Sequence, residues 1–387
     1  MEKKALALLS GGLDSSLAVK IMMEQGVEMT AVNFVSPFCN CTSRSAGCKH
    51  QASKVADEFG IPIRVIAKGM DYMKVVERPK HGHGRGMNPC IDCRIYMLRK
   101  VREMMPAEGS FVITGEVLGQ RPMSQHRRAI EMIEKESGLE GLILRPLSAG
   151  HFAPTIPEQE GVIDRERLLS LSGRSRKPQI ELAEKFGFTD YPCPAGGCLL
   201  TDPVIAERLR DLFMHAPDYS IADLQLLKTG RHFRLSDKMK VILGRNKSEN
   251  EILKLHFGPG YSILRPVNFR GPWGLLCGRD ITSENMQAAG RIMAAYSNDD
   301  LDNYGISEMN EDQDGSKFFV GPRFARDKFN PLCIGQDGSG NGYLHLKGNR
   351  RNLHAPVRVK GMPQGLYSRD APLEDARFNP EFREDDA

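Results

Sequence analysis

A short apolar run, residues 5–9, leads into Ser10-Gly11-Gly12-Leu13-Asp14-Ser15-Ser16, and an amphipathic stretch, residues 15–25, follows. Strand, glycine turn and helix in that order restrict this part of the chain to a parallel sheet wrapped by helices. Gly11 and Gly12 let the backbone approach an anion closely, with N–H groups that no side chain shields. The helix behind them points its positive end at the same spot. Ser10, Ser15 and Ser16 add hydroxyls, and Asp14 is placed to hold a metal ion or to orient the loop. A capped turn uses the same residue types, but the full string between strand and helix points to phosphate binding. It is not a Walker loop, because no Gly-Lys-Ser/Thr follows.

The strand–helix alternation continues, with strands expected at 29–35, 63–67, 111–114 and 142–144 and helices at 50–59, 93–105 and 125–136. This predicts an α/β fold with a doubly wound parallel sheet over the first ~150 residues. Residues 168–171 and 179–186 read as helices, and the Pro/Gly/Cys-rich turn 191–198 as a seam. Strands at 232–235, 241–243 and 262–265 around a helix at 248–256 then suggest a smaller α+β domain. The expected domains are 1–205, 206–300 and an extension 301–368, with 369–387 a disordered tail. A chain of 387 residues is too long for one ordinary domain. Its 40% hydrophobic and 26% charged residues are those of a soluble protein. No stretch approaches the roughly 20 apolar residues of a membrane span, and the apolar run at the N-terminus is too short for a signal peptide. A cytoplasmic location without membrane contact is expected. The net charge of +4 permits a nucleic-acid partner without demanding one.

The string Ser10 to Ser15 resembles the PP-loop (N-type ATP pyrophosphatase) superfamily, whose signature is Ser-Gly-Gly-x-Asp-Ser and whose fold is of the adenine nucleotide alpha hydrolase kind. The resemblance implies ATP and Mg²⁺, with adenylation of a carbonyl oxygen and release of pyrophosphate. It places Ser10, Gly11, Gly12, Asp14, Ser15 and Ser16 on the nucleotide, and Asn33 and Phe34 of the second strand at adenine. Gly115, after the fourth strand, would allow close backbone approach. Arg121 either neutralises phosphate charge or is a surface arginine.

Nine cysteines in a cytoplasmic chain are expected to be reduced. Asn88-Pro89-Cys90-Ile91-Asp92-Cys93 and Gly196-Gly197-Cys198-Leu199 resemble the two cysteine segments of the bacterial tRNA 2-thiouridylases, in the tRNA-thiolating branch of the superfamily that also holds the 4-thiouridine synthetases. Cys93 and Cys198 fall on the catalytic positions. The additional Cys90 makes a CxxC, as in the iron–sulfur tRNA thiolases. Two mechanisms follow: Cys90, Cys93 and Cys198 hold a 4Fe–4S cluster, or Cys93 carries a persulfide that Cys198 resolves. Cys193 is an alternative third ligand, and a zinc knuckle or plain buried thiols remain the bland reading. Cys39, Cys41 and Cys48 read as incidental thiols of a loop, and Cys277 and Cys333 as buried ones. The glycine-rich stretch 80–86, with His81 and His83, reads as a mobile basic loop on RNA phosphates.

Residues 228–280, with Gly230-Arg231-His232-Phe233-Arg234 and Gly244-Arg245-Asn246-Lys247, resemble the RNA-binding NFACT-R domain. Arg231, His232, Arg234, Arg245 and Lys247 interleave cations with Phe233, which suits phosphate contact and base stacking. A solvated basic face has the same composition. Together these resemblances imply a tRNA sulfurtransferase, supplied with sulfur as free sulfide or by a cysteine desulfurase, and they leave room for a homodimer. Two rivals stand beside it: a PP-loop enzyme acting on a small molecule, and an RNA-binding factor with a nucleotide switch.

Overall fold

The computed structural model describes residues 3–39, 48–106, 109–188, 198–256, 258–278, 281–310 and 313–335, all within one unit, residues 1–339. The first half runs β1 (Lys4–Leu8), α1 (Leu13–Glu24), β2 (Glu28–Val35), α2 (Cys48–Phe59), β3 (Ile63–Ala67), α3 (Met70–Glu77), α4 (Cys90–Met104), β4 (Ser110–Thr114), α5 (Arg127–Ser137) and β5 (Ile143–Leu144). The five strands are parallel in the order β3-β2-β1-β4-β5, the expected doubly wound sheet. β4 is buried along its whole length, which is why its sequence reads as a continuous apolar run. Leu9, Met22, Ala52 and Ala56 pack on one face of the sheet; Val32, Leu98, Val101 and Ile133 pack on the other. The strand order reverses between β1 and β4, and crevices at that point, outside the carboxyl ends of the strands, are where open α/β sheets take ligands.

One local expectation fails, and one helix is additional. Residues 168–171 are extended rather than helical, because the Leu169 and Leu171 amides donate to Pro146 O and Leu147 O, both at 2.8 Å. Leucine-rich and partly buried, the stretch mimics a helix in composition alone. The helix α3 was not anticipated; Tyr72, Met73 and Val76 bury its inner face.

Beyond the sheet come α6 (Ile156–Gln159), α7 (Lys177–Lys185), α8 (Pro203–His215) and α9 (Ile221–Leu226). Then follow β6 (Arg231–Ser236), β7 (Met239–Leu243), α10 (Lys247–Lys254), β8 (Tyr261–Pro266), β9 (Gly274–Gly278), α11 (Ser283–Ala295), β10 (Tyr304–Asn310) and β11 (Gln313–Val320). These six strands form an antiparallel sheet in the order β11-β10-β8-β9-β7-β6. A boundary at residue 300 therefore does not fit: β10 and β11 belong to the same sheet, and β10 pairs with β8. A boundary at 205 likewise cuts into α8. That helix packs Ile205, Leu209 and Leu212 with Phe38, Met73 and Val76 of the first half. Its Arg208, 2% exposed, donates to Leu227 O at 2.8 Å, Gly230 O at 3.0 Å and Ile334 O at 3.3 Å. Among the described residues no helix is long and apolar enough to cross a membrane. The expected tail 369–387 lies outside the described residues.

Candidate nucleotide and sulfur site

Gly11 turns the chain after β1 with φ of 75°, and a Cβ there would stand 2.6 Å from Ala52 N. Gly12 is the N-cap of α1; its own amide donates to Ser10 Oγ at 3.3 Å, and the amides of the first helical turn that follow have no acceptor within the helix. Ser15 Oγ lies 3.1 Å from Ser10 Oγ and donates to Gly12 O at 2.8 Å; Ser16 Oγ donates to the same carbonyl at 3.2 Å. The hydroxyls thus brace the loop from inside. Asp14 Oδ2 accepts from Gln120 Nε2 at 3.1 Å, whereas its buried Oδ1 has no partner. An orphaned carboxylate oxygen in the first turn fits a bound Mg²⁺.

Gly115, after β4, lies against this turn: a Cβ would be 2.5 Å from Asp14 O and 2.6 Å from Ser15 N. Any larger residue would push the two loops apart. Asn33 is buried and donates to Leu9 O at 2.8 Å, holding the end of β1, while its Oδ1 is unpartnered. Phe34 is half-buried and packs against the core cluster that includes Leu6, Val32 and Val112. Arg121 is exposed, and its charge bears on the Cys90 thiol.

Cys90 opens α4, so Cys90 and Cys93 face the same way at its positive end. Cys198 joins them: the charges of Cys93 and Cys90 both bear on its thiol. Burial pushes the Cys198 thiol up to about 11, against a backbone hydrogen bond from Leu200 and the charge of Lys68. Burial likewise raises the Cys90 thiol, opposed by the Asn88 amide, 2.9 Å from its Sγ, and by Arg121 and Arg94. Cys93 has a different setting. Lys68, 9% exposed after β3, donates to Cys93 Sγ at 3.0 Å, and Cys93 also bears electrostatically on the buried Tyr72 hydroxyl. The ammonium stands 4.7 Å from the centre of the Tyr72 ring. Cys39, Cys90, Cys93, Cys198, Cys277 and Cys333 are free thiols; Cys277 is buried and Cys333 half-buried. Among the described residues no group of three His, Cys, Asp or Glu closes to metal-binding geometry. Cys41 and Cys193 lie outside the described residues.

Sequence reasoning missed the link between loop and cysteines. Glu116, buried next to Gly115, pairs with Arg94 at 2.9 Å and Arg145 at 3.1 Å. Arg145 also pairs with Glu134. Burial alone would raise the Glu116 carboxyl, but Arg94 and Arg145 overcome it and hold the group below the usual range. Arg94 directly follows Cys93. Lys68, Tyr72, Arg94 and Glu116 carry no motif; only their contacts reveal them.

The stretch 80–86 is tied down, contrary to expectation. Asp92 accepts from the amides of Lys80 and His81 at 3.0 Å each, His83 Nε2 meets Val76 O at 2.7 Å, and Lys80 and His81 both pair with Glu136.

Three of the residues assigned to RNA are used internally. His232 is 1% exposed, and its Nε2 donates to Thr229 O at 2.9 Å and Leu226 O at 3.2 Å. Phe233 is buried against Tyr296, and Arg234 pairs with Asp211 of α8. Alternation along β6 puts these side chains into packed surfaces that composition alone cannot distinguish from open ones. Arg231 is half-buried over the Tyr296 ring at 4.9 Å, Arg245 pairs with Glu249, and Lys247 is exposed. Burial, then Arg208 and Lys240, hold the His232 imidazole well below its ordinary 6.5. A depressed value means stability that is full above that pH and falls as acid charges the ring. The melting temperature of this module, read from the single tryptophan, Trp273 beside α10, should drop between pH 7.5 and 5.5. In His232→Gln the drop should be smaller; an equal drop would remove His232 as its source.

Residues 1–151 match the family model of the Thiamine biosynthesis protein (ThiI), and residues 230–327 match the NFACT protein RNA binding domain. The chain resembles the tRNA-thiolating PP-loop proteins. A tRNA-specific 2-thiouridylase MnmA of Endomicrobium trichonymphae is 34% identical over 110 residues, 25% of this chain and 31% of the relative. A probable tRNA sulfurtransferase of Lysinibacillus sphaericus is 27% identical over 199 residues, 49% of this chain and 48% of the relative. A 4-thiouridine synthetase in an RNA complex with bound ATP has a TM-score of 0.33 and 24% identity, covering 58% of this chain and 52% of that one. The chain thus spans between about a third and a half of these curated relatives. The two matched stretches correspond to the two sheets.

Proposed function

We propose that the protein is an ATP-dependent tRNA sulfurtransferase that adenylates a uridine oxygen and replaces it with sulfur. One observation carries this reading: an unbroken contact path runs from Asp14 and Ser15 through Gly115, Glu116 and Arg94 to Cys93. This continuity supports reading the phosphate loop and the thiols as parts of one site.

The amides at the head of α1 bind the pyrophosphate of ATP, and Asp14 would hold Mg²⁺, which supplies charge neutralisation there. The uridine oxygen attacks the α-phosphorus, and pyrophosphate leaves. Sulfur then attacks the activated carbon, and the C–O bond breaks to release AMP. Base access requires the nucleotide to leave its stack. Two sulfur routes remain. In the first, Cys90, Cys93 and Cys198 would be the soft ligands of a 4Fe–4S cluster, which would supply an open position for sulfide; the three would have to draw together to hold it, since they do not close to metal-binding geometry as they stand. The hydrogen bond that Lys68 makes to Cys93 and to neither other thiol favours a persulfide there, whose outer sulfur attacks while Cys198, once deprotonated, takes the inner one as a disulfide.

tRNA-dependent formation of AMP, pyrophosphate and a thiolated nucleoside tests the proposal; ATP turnover without sulfur in RNA would refute it. Iron and acid-labile sulfide on anaerobically purified protein separate the routes. About four irons per chain, lost in Cys90→Ala, Cys93→Ala and one of Cys193→Ala or Cys198→Ala, is the cluster result. Full activity without iron is the persulfide result.

A further inference from the structure

The residues that the sequence offers to RNA are largely internal, yet one sheet face of the NFACT-R-like module is open. On one side α11 covers the sheet, where Phe318, Val320 and Ile306 surround Gly290. On the other side Leu226 of α9 and Leu253 of α10 cover Ile242, Ile263 and Leu275. That cover stops short of the β11 edge. In register there, Phe319 lies opposite Gly305, and Lys317 and Arg265 flank Ser307 from either side. Directly paired residues share a face, and alternation puts this set opposite α11.

We propose that this open face, built by Phe319, Lys317 and Arg265, is a docking surface for single-stranded RNA; it rests on the reading of the protein as a tRNA enzyme. Phe319 is 60% exposed, a large aromatic left in water on a flat strand. Its ring edge stands 3.0 Å from the Cβ position that Gly305 lacks, so the glycine gives the ring a seat on the backbone and leaves its other side open. A ring held this way is a preformed stacking platform, and any base can use it. Lys317 is exposed and Arg265 half-buried, and among the described residues neither is held in an ion pair. Two unpaired cations one strand away from β10 on either side suit the phosphates on each flank of a stacked base. An apolar partner would leave both cations desolvated and unpaired, whereas RNA matches ring and charge together.

The test uses the full chain and fluorescence anisotropy with a labelled twelve-nucleotide uridine oligomer and with a tRNA transcript. Phe319→Ala should weaken oligomer binding by between about 5-fold and 150-fold, and Phe319→Trp should restore it. Lys317→Ala and Arg265→Ala should each lower the slope of log affinity against log salt by about 0.7. Wild-type affinity and slope in Phe319→Ala and in the Lys317→Ala/Arg265→Ala double variant would overturn the surface. So would a dimer in sedimentation that Phe319→Ala dissolves without touching RNA affinity, which would assign the β11 edge to a second copy. Binding that falls as expected in a protein that never thiolates RNA would keep this surface and refute only the sulfurtransferase reading.

Discussion

Cys93→Ser is expected to abolish thiouridine formation, by at least about a thousand-fold, while tRNA-dependent AMP and pyrophosphate release stay within a few-fold of wild type. The separation follows from the geometry. In the proposed reaction adenylation draws on the loop, Asp14 and Gly115, whose described contacts are with one another and with Gln120. Sulfur delivery needs the thiol on which Lys68 and Tyr72 both converge. Serine keeps the shape and the hydrogen bonds but neither binds iron well nor carries a second sulfur. Mass spectrometry of digested tRNA and a pyrophosphate assay on the same samples check the result. Equal loss of both activities would mean that the two half-reactions share Cys93.

The second large effect is expected at Glu116. Removing this carboxylate leaves Arg94 and Arg145 facing one another, with Arg145, only 3% exposed, keeping Glu134 as its one acidic partner among the described residues. Breaking a buried pair from one side costs about 3–5 kcal/mol. Glu116→Ala should therefore lower the calorimetric stability of the PP-loop domain by about that much, and Glu116→Gln, which retains an acceptor, by less. Because Arg94 loses its anchor beside Cys93, sulfur transfer should fall even where the variant remains folded at low temperature. A melting profile unchanged in Glu116→Ala would refute the structural role. The pairing also has a pH sense. The Glu116 carboxyl is held low, so the stability it contributes is present above the ordinary carboxylate range and is lost as pH falls below it.

Much of the PP-loop domain was legible in the sequence because local signals and tertiary structure agree there. β1, the glycine turn and α1 each announce themselves, and the parallel sheet needs only repetition of that unit. The loop residues were legible for the same reason: Gly11 and Gly115 stand where a Cβ would collide. The buried ion chain was not, because Arg94, Glu116 and Arg145 are ordinary charged residues until folding brings them together. Residues 168–171 show the opposite error, four positions rich in leucine whose amides bond to a neighbouring segment instead of to their own turn. In the second module, charge and aromaticity were read correctly as present and incorrectly as exposed. His232 and Phe233 serve the interior, and the open aromatic, Phe319, lies beyond the stretch that drew attention.

Arg208 has a consequence for anyone wishing to cut the protein into pieces. The stretch recognisable as an RNA-binding domain begins at residue 230, yet the guanidinium that fastens Gly230 and Ile334 is contributed from α8, upstream of it. A fragment excised at that point would lose the clasp joining its first and last described segments, along with the Asp211 partner of Arg234. The smallest portable version therefore starts before Asp202, whose side chain caps α8. It would also bring with it the apolar side of that helix, Ile205, Leu209 and Leu212, which the intact chain covers with Phe38 and Met73. Recognition and self-sufficiency have different borders in this polypeptide.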